Sequence, residues 1–359
     1  MGSKLRPMYD KLYIGVEVWL QAREARLDEK KYARTFGRVP EANEDYVRLV
    51  RPYWSQFRVS VPKKYWYVRY RPQGRPTDPR YIPGDLWFQR IIPFYNNLIF
   101  AKALQDKCLL DTIVPDMRHP VTVVKCINGV FYDRQMNILS RQEAAESCRG
   151  HGRVIVKPSV NSGQGHGIRF YDSDGLTSAG AEDIFRQYGK NFIMQEKLAQ
   201  HEAMARFNAK SLNTVRVLTF LYGGQVHILS TILRVGGETS EVDNVSQGGF
   251  QCTILPDGTL DSRILTKRRG KWELAEAGVF GAHVEGSVPF YDRVVASVRR
   301  AAARMAHFPI LGWDIALDRE GEPVLIEYNV IPGQNQGSDG PTFGDLTDQV
   351  LTEVFGRKK

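Results

Sequence analysis

Cysteine and histidine are scarce, four and seven in 359 residues. Cys108, Cys126, Cys148 and Cys252 form no Cys-x-x-Cys pair, and the histidines are scattered among them. Zinc sites and disulfide frameworks need clustered thiols or imidazoles, so neither is expected, and a reducing cytoplasm is the expected setting. Long apolar runs are lacking too. None approaches the ~20 residues that cross a bilayer, and no membrane partner is expected. The opening MGSKLRPMYDK has no apolar core of a secretory signal, and Arg6 stands where a myristoylation signal wants Ser or Thr. No repeat recurs at a period of roughly 20–50 residues. No Gly-Lys-Ser/Thr follows a glycine loop, which excludes a Walker-type phosphate loop. No Ser/His/Asp set is legible.

What the chain does have is the composition of a globular protein, 42% hydrophobic and 25% charged, at a length suited to about two or three domains. The net charge of +9 would suit nucleic acid or a small polyanion such as a nucleotide. The basic residues are spread out, with one short cluster at Lys267, Arg268 and Arg269, so nucleic acid is not the expected partner.

Leu12, Val16, Trp19, Leu20 and Leu27 recur at helical spacing through 10–35. Prolines and aromatics then crowd 51–95, Trp54, Trp66 and Trp87 among them. Proline at that density prevents long helices, and the aromatics are expected in a core, not around a ligand. From about 96 strands and helices alternate. Asn128-Gly129 between 121–126 and 130–132 predicts a hairpin, and Ser140 with Glu143 a capping box on a helix that Gly150 ends. A helix is expected near 180–188 and a strand over 192–195. Strands over 213–221 and 225–234 join at Gly223-Gly224, and others fall near 250–255, 311–318 and 322–328. Asp257-Gly258 and Glu320-Gly321 are the turns, and 290–306 is a long helix. This mixture predicts an α+β fold, not a doubly wound parallel sheet.

Three stretches carry chemistry. In RVIVKPSVNSGQGHGIRFY (153–171), an apolar strand through Val154, Ile155 and Val156 ends at Lys157. The loop with Gly163, Gly165 and Gly167 leads to a second strand. Glycines admit an anion close to backbone N–H groups and the lysine adds a point charge, so the unit suits phosphates; a plain flexible hairpin is the competing reading. In LGWDIALDREGEPVLIEYN (311–329), folding about Glu320-Gly321 brings Asp314 opposite Glu327, with Asn329 on the same face. These oxygens suit Mg²⁺ bridged to phosphates; pairing of the carboxylates with core arginines is the alternative. Arg216, inside an apolar strand, needs an anion, either a carboxylate or a phosphate. Arg234, Asp243 and Asn244 lie beside Gly248-Gly249 in a substrate-facing loop or an ordinary surface hairpin.

In this order, LQDK (104–107), IVKPSVNSGQGHGI (155–168), MQEKLAQH (194–201), SLNTVRVLT (211–219), VDNVSQGG (242–249) and GWDIALDREGEPVLIEYN (312–329) resemble the ATP-grasp superfamily. The similarity is to the branch of sugar-transfer-associated ATP-grasp proteins, related to carboxylate–amine ligases, and covers about 45–355. It implies two α+β domains clasping ATP: a lid over 105–197 and a central domain over 198–359, behind an atypical helical, proline- and aromatic-rich region over 1–104. It implies that Lys107, Lys157, Ser159, Ser162, Gly163, Gly165 and Gly167 surround the phosphates. Gln195, Glu196, Lys197 and Asn213 would complete the nucleotide site, with the adenine at Glu196 and the Lys197 backbone. Glu202 would bind the ribose, with His201 or Ala203 as substitutes. Asp314, Glu327 and Asn329 would hold Mg²⁺, and Arg216, Lys157 and Arg234 would act in catalysis. The implied reaction makes an acyl phosphate from a small-molecule carboxylate and passes it to an amine, with an amino acid or sugar conjugate among the candidate substrates. A kinase acting on a hydroxyl and a non-catalytic nucleotide-binding module are the alternatives.

Overall fold

The computed structural model describes residues 5–36, 44–59, 78–160, 162, 166–237, 240–241, 248–268, 271–276, 284–336 and 340–357. Trp66, Gly163, Gly165, Asp243, Asn244 and Arg269 lie outside the described residues.

The front of the chain is helical: α1 (Leu5–Phe36), α2 (44–55), α3 (84–95), α4 (Leu98–Leu104) and α5 (107–113). Proline does not stop α2 or α3. Arg51 N–H reaches back five residues to the Tyr46 carbonyl just before Pro52, and Ile92 N–H does the same to Trp87 just before Pro93. One widened turn makes room for each ring and absorbs its missing donor. Trp54 and Trp87 are fully buried, as their reading as core predicts, and their indole N–H groups donate to the Pro79 and Pro332 carbonyls at 2.9 and 2.8 Å.

The first sheet comprises β1 (Thr122–Ile127), β2 (Val130–Tyr132), β3 (Ile138–Leu139), β4 (Arg153–Pro158), β5 (Arg169–Asp172) and β6 (Phe192–Glu196), in the order β3-β2-β1-β6-β4-β5. Helices α6 (Arg141–Ser147) and α7 (Ser178–Tyr188) cover one face, where Ala144, Ala145, Ile184 and Phe185 meet Val124, Val154, Val156, Phe192 and Met194. The Ser140–Glu143 capping box is formed in both directions. Strand alternation sends Ile155, Lys157 and Gln195 to the other face.

After a short helix α8 (Glu202–Ala205) comes the larger sheet: β7 (Thr214–Tyr222), β8 (Gln225–Val235), β9 (Phe250–Ile254), β10 (Leu260–Arg268), β11 (Lys271–Glu276), β12 (Ile310–Leu317) and β13 (Pro323–Asn329). Its order is β11-β10-β9-β8-β7-β12-β13, antiparallel throughout. Helix α9 (Tyr291–Ala302), shorter than the predicted 290–306, packs Val294, Val298 and Ala301 against Val215, Val217, Leu233, Trp313 and Ile315 on one face. The opposite face is divided. Leu218, Phe220 and Ile310 lie under the N-terminal helices and the last helix, α10 (Thr347–Phe355). Arg216 and Asp314, further along the same strands, open onto a cleft. Among the described residues, no helix is long and apolar enough to cross a membrane.

The β12–β13 turn requires glycine at 321 twice over. Its φ is +78°, and a Cβ there would run into the Phe290 ring. Gly321→Ala is therefore expected to lower the urea unfolding midpoint by the equivalent of about 1–3 kcal/mol. An unchanged midpoint in a chemical-denaturation series would show that neither constraint operates.

Candidate active site between the two sheets

The cleft floor is built by strand register. Asp314 on β12 lies opposite Arg216 on β7 and Glu327 on β13, and Gly312 lies opposite Asn329. Near the turn the hairpin pairs Leu317 with Pro323 and Ile315 with Leu325, then shifts between Asp314 and Ile315 so that Ile326 is an extra residue. Without that bulge Asp314 would face Ile326, and Glu327 would point to the opposite face. With it, Ile326 and Glu327 both line the cleft, while Leu325 and Tyr328 stay in the core.

Arg216 grips Asp314 with two N–H groups, Nε to Oδ1 and Nη2 to Oδ2, the latter at 2.7 Å; Arg234 Nη1 adds a third contact to Oδ1 at 3.2 Å. The arginine pairing considered for Asp314 is thus present. Burial pushes the Asp314 carboxyl up, but the two guanidiniums outweigh it and hold the group below the usual carboxylate range. Glu327 instead meets Lys107 Nζ at 3.6 Å. Lys107 also donates to the Ser162 carbonyl and Oγ at 3.1 and 3.2 Å, tying Ser162 to the floor. The Lys157 ammonium has no hydrogen bond or ion pair among the described residues. Burial lowers its ammonium to about 8; Glu327 opposes that shift and Lys107 adds to it.

At the other end, Ile155 and Phe170 from the first sheet, with Ile168 just before β5, face Leu212 and Ile326 from the second half of the chain. Gln195 and Glu196 line this end with Lys197 and Leu198. Among the described residues, Gln195 Oε1 is buried without a hydrogen-bond partner, and so is Asn329 Nδ2 at the floor. The N–H groups of Glu196 and Lys197 are taken by the Val121 and Arg153 carbonyls. The Lys197 carbonyl and Leu198 N–H remain without partners among the described residues.

The cleft therefore gathers Lys107, Lys157, Ser162, Gln195, Glu196, Lys197, Arg216, Arg234, Asp314, Glu327 and Asn329. Four of the expected residues lie outside its lining. Ser159 is fully buried, and its carbonyl accepts from Lys107 N–H. Gly167 has φ +76°, and a Cβ there would sit 2.8 Å from Pro158 Cγ, so it serves the turn. Asn213 is spent on its own loop, donating to the Met204 and Asn208 carbonyls and accepting from Ser211. Glu202 is exposed at the start of α8. The cleft also contains His166, Thr214 and Glu241, which the motifs did not mark. Among the described residues no three His, Cys, Asp or Glu side chains cluster as a metal site, so the floor offers two carboxylates and an amide.

The chain belongs to the sugar-transfer associated ATP-grasp family, whose description matches residues 88–337, well over half of the sequence. The fold is accordingly the expected α+β ATP-grasp fold. A comparison with curated proteins found no match. Among solved structures, the ATP-grasp ligase PsnB complexed with minimal precursor is similar at 16% identity and a TM-score of 0.42, over 72% of this chain and 64% of that one. D-cycloserine synthetase DcsG is similar at 16% identity and TM-score 0.39, over 70% of each chain. D-alanine–D-alanine ligase from Helicobacter pylori is similar at 12% identity and TM-score 0.39, over 71% of this chain and 60% of that one. The chain spans less than two thirds of PsnB and of the Helicobacter pylori ligase.

The Lys157 shift gives a pH signature. A bound polyanion favours the ammonium, so binding near and above pH 8 takes up a proton, and affinity falls as pH rises through about 8. Calorimetry with inorganic tripolyphosphate, repeated in buffers of different ionisation heat, should record that uptake in the native protein and lose it in Lys157→Met. Equal proton uptake in both would remove Lys157 from the anion site.

Proposed function

We propose that this protein is a Mg-ATP-dependent ligase that activates a carboxylate as an acyl phosphate and joins it to an amine, releasing ADP and phosphate. The observation that carries the reading is the charge balance of the cleft. Among the described residues, Lys107, Lys157 and Arg216 outnumber Asp314 and Glu327 at the floor, an excess of positive charge that suits the phosphates of a nucleotide. The apolar slot between Ile155, Phe170, Leu212 and Ile326 suits a flat base. The open Lys197 carbonyl and Leu198 N–H offer an acceptor and a donor for the adenine edge, and Gln195 Oε1 a second acceptor.

The floor also fits a divalent cation. Asp314, Glu327 and Asn329 are all-oxygen donors, and Asn329, whose amide nitrogen is orphaned as oriented, can turn its oxygen inward instead. These three residues would hold Mg²⁺, which would neutralise charge between the phosphates. Asp314 is held here by Arg216 and Arg234, and would serve the cation once phosphate oxygens drew those guanidiniums to themselves. Lys107 and Lys157 hold the triphosphate in line, and Arg216 meets the charge that develops on the transferred group.

In the first step a carboxylate oxygen bonds to the γ-phosphorus and the bond to the β-phosphate oxygen breaks. In the second, the amine nitrogen bonds to the acyl carbon, phosphate leaves, and the amine proton departs to solvent. No covalent enzyme nucleophile is required. A carboxylate substrate is already ionised near neutral pH, so the first step needs no base. The substrates proposed are small molecules, with amino acids and sugar conjugates the first to test.

Two experiments bear on this. Lys157→Ala should lower ADP formation by about 100–1,000-fold while the unfolding midpoint stays level or rises, because a buried, unpaired charge is removed. Undiminished turnover would exclude Lys157 from the chemistry. With ¹⁸O-labelled carboxylate, one label should appear in the released phosphate, and hydroxylamine should trap a hydroxamate. Phosphate retained on the product, with no label transfer, would establish a kinase instead.

A further inference from the structure

The family resemblance puts the ribose ligand at Glu202, with His201 or Ala203 as substitutes, yet none of the three lines the cleft. Four carboxylates do line it: Glu196, Glu241, Asp314 and Glu327. Asp314 and Glu327 stand at the phosphate end, and Glu196 accepts from His151 Nδ1 at 2.9 Å. Glu241, beyond the end of β8, has no part in the chemistry described so far.

Its placement is specific. Oε1 accepts from Lys197 Nζ at 2.8 Å, and Arg153 Nη2 bonds both carboxylate oxygens at 3.0 and 2.9 Å. Both cations also lie over the Phe170 ring, at 5.3 Å for Lys197 Nζ and 5.6 Å for Arg153 Cζ. The Glu241 carbonyl accepts from Leu212 N–H at 3.3 Å, beside the apolar slot. Glu241 thus comes from the larger half of the molecule and is fastened to β4 and to the residue preceding Leu198. It stands one side chain away from the backbone groups offered to a base. Burial pushes its carboxyl up, but Lys197 and Arg153 outweigh that and keep it ionised. An ionised carboxylate is acceptor-only with about four lone-pair sites, and three N–H contacts do not exhaust it. Among the described residues no hydroxyl donates to it.

We infer that Glu241 binds the ribose hydroxyls of the nucleotide and, through Lys197 and Arg153, latches the two halves of the cleft around it. The inference rests on the nucleotide reading above. It predicts sugar discrimination by a side chain remote in sequence from the hinge motif.

The test compares ATP, 2′-deoxyATP and 3′-deoxyATP by calorimetry on the full chain, with Mg²⁺ and without second substrates. The native protein should bind ATP about tenfold or more tightly than at least one deoxy analogue, as expected for a hydrogen bond to a charged acceptor. Glu241→Ala should bind all three alike. Arg153→Ala, which loosens the latch but keeps the carboxylate, should bind all three more weakly with the ratio preserved, and Glu202→Ala should match the native protein. A ratio retained in Glu241→Ala overturns the inference, as does a native protein indifferent to the sugar hydroxyls while binding ATP. If no adenine nucleotide binds at all, the nucleotide reading falls and this inference with it.

Discussion

Two opposite charges on neighbouring strands, Arg216 and Asp314, constrain everything around them. Both side chains are largely withdrawn from water, at 18% and 9% exposure, and neither could be left alone there. The pair holds only if β7 and β12 keep one register. That register places Leu218 and Phe220 under the N-terminal helices and Val215 and Val217 against α9. Apolar packing on both sides of the sheet thus enforces a polar contact at its open end, and the polar contact discourages the strands from slipping. Glycine at 312 belongs to the same arrangement: a Cβ there would stand 3.0 Å from Pro332 and 3.6 Å from the Arg216 side chain.

Much of this was legible in the sequence because it depends on local rules. Turn dipeptides at Asn128-Gly129, Gly223-Gly224 and Glu320-Gly321 mark hairpins that form, and the Ser140 capping box starts a helix as written. Alternation along 154–157 separates core from cleft. The opposition of Asp314 and Glu327 came out for a less direct reason. Counting symmetrically about Glu320-Gly321 gives the right partners, but the hairpin near its turn is centred half a residue earlier, and the bulge at Ile326 makes up the difference. A bulge has no sequence mark of its own here.

What could not be read is non-local. Strands β10 and β11 drew no expectation, since their stretch was noted only for its basic cluster. Helix α10 is recognisable only once its partners are known, because Val350 and Leu351 pack against residues hundreds of positions earlier. Proline density at 51–95 argued against extended helix, yet a turn wound one residue wider carries α2 and α3 past Pro52 and Pro93. Glu202 satisfied a motif's wording while its backbone led it to the surface, and Glu241 satisfied none while ending in the cleft.

The extra residue in β13 gives the chain between the turn and Asn329 an arithmetic of odd and even. Inserting or deleting a single residue there would exchange the two faces of the strand, sending Glu327 and Asn329 into the packed interior and Leu325 and Tyr328 out into the cleft. A change of two residues would preserve the faces and alter only how far the floor reaches. Length variation in this hairpin should therefore come in pairs, or else be matched by loss of the bulge. The segment that looks most like an ordinary connection is the one whose residue count is least free.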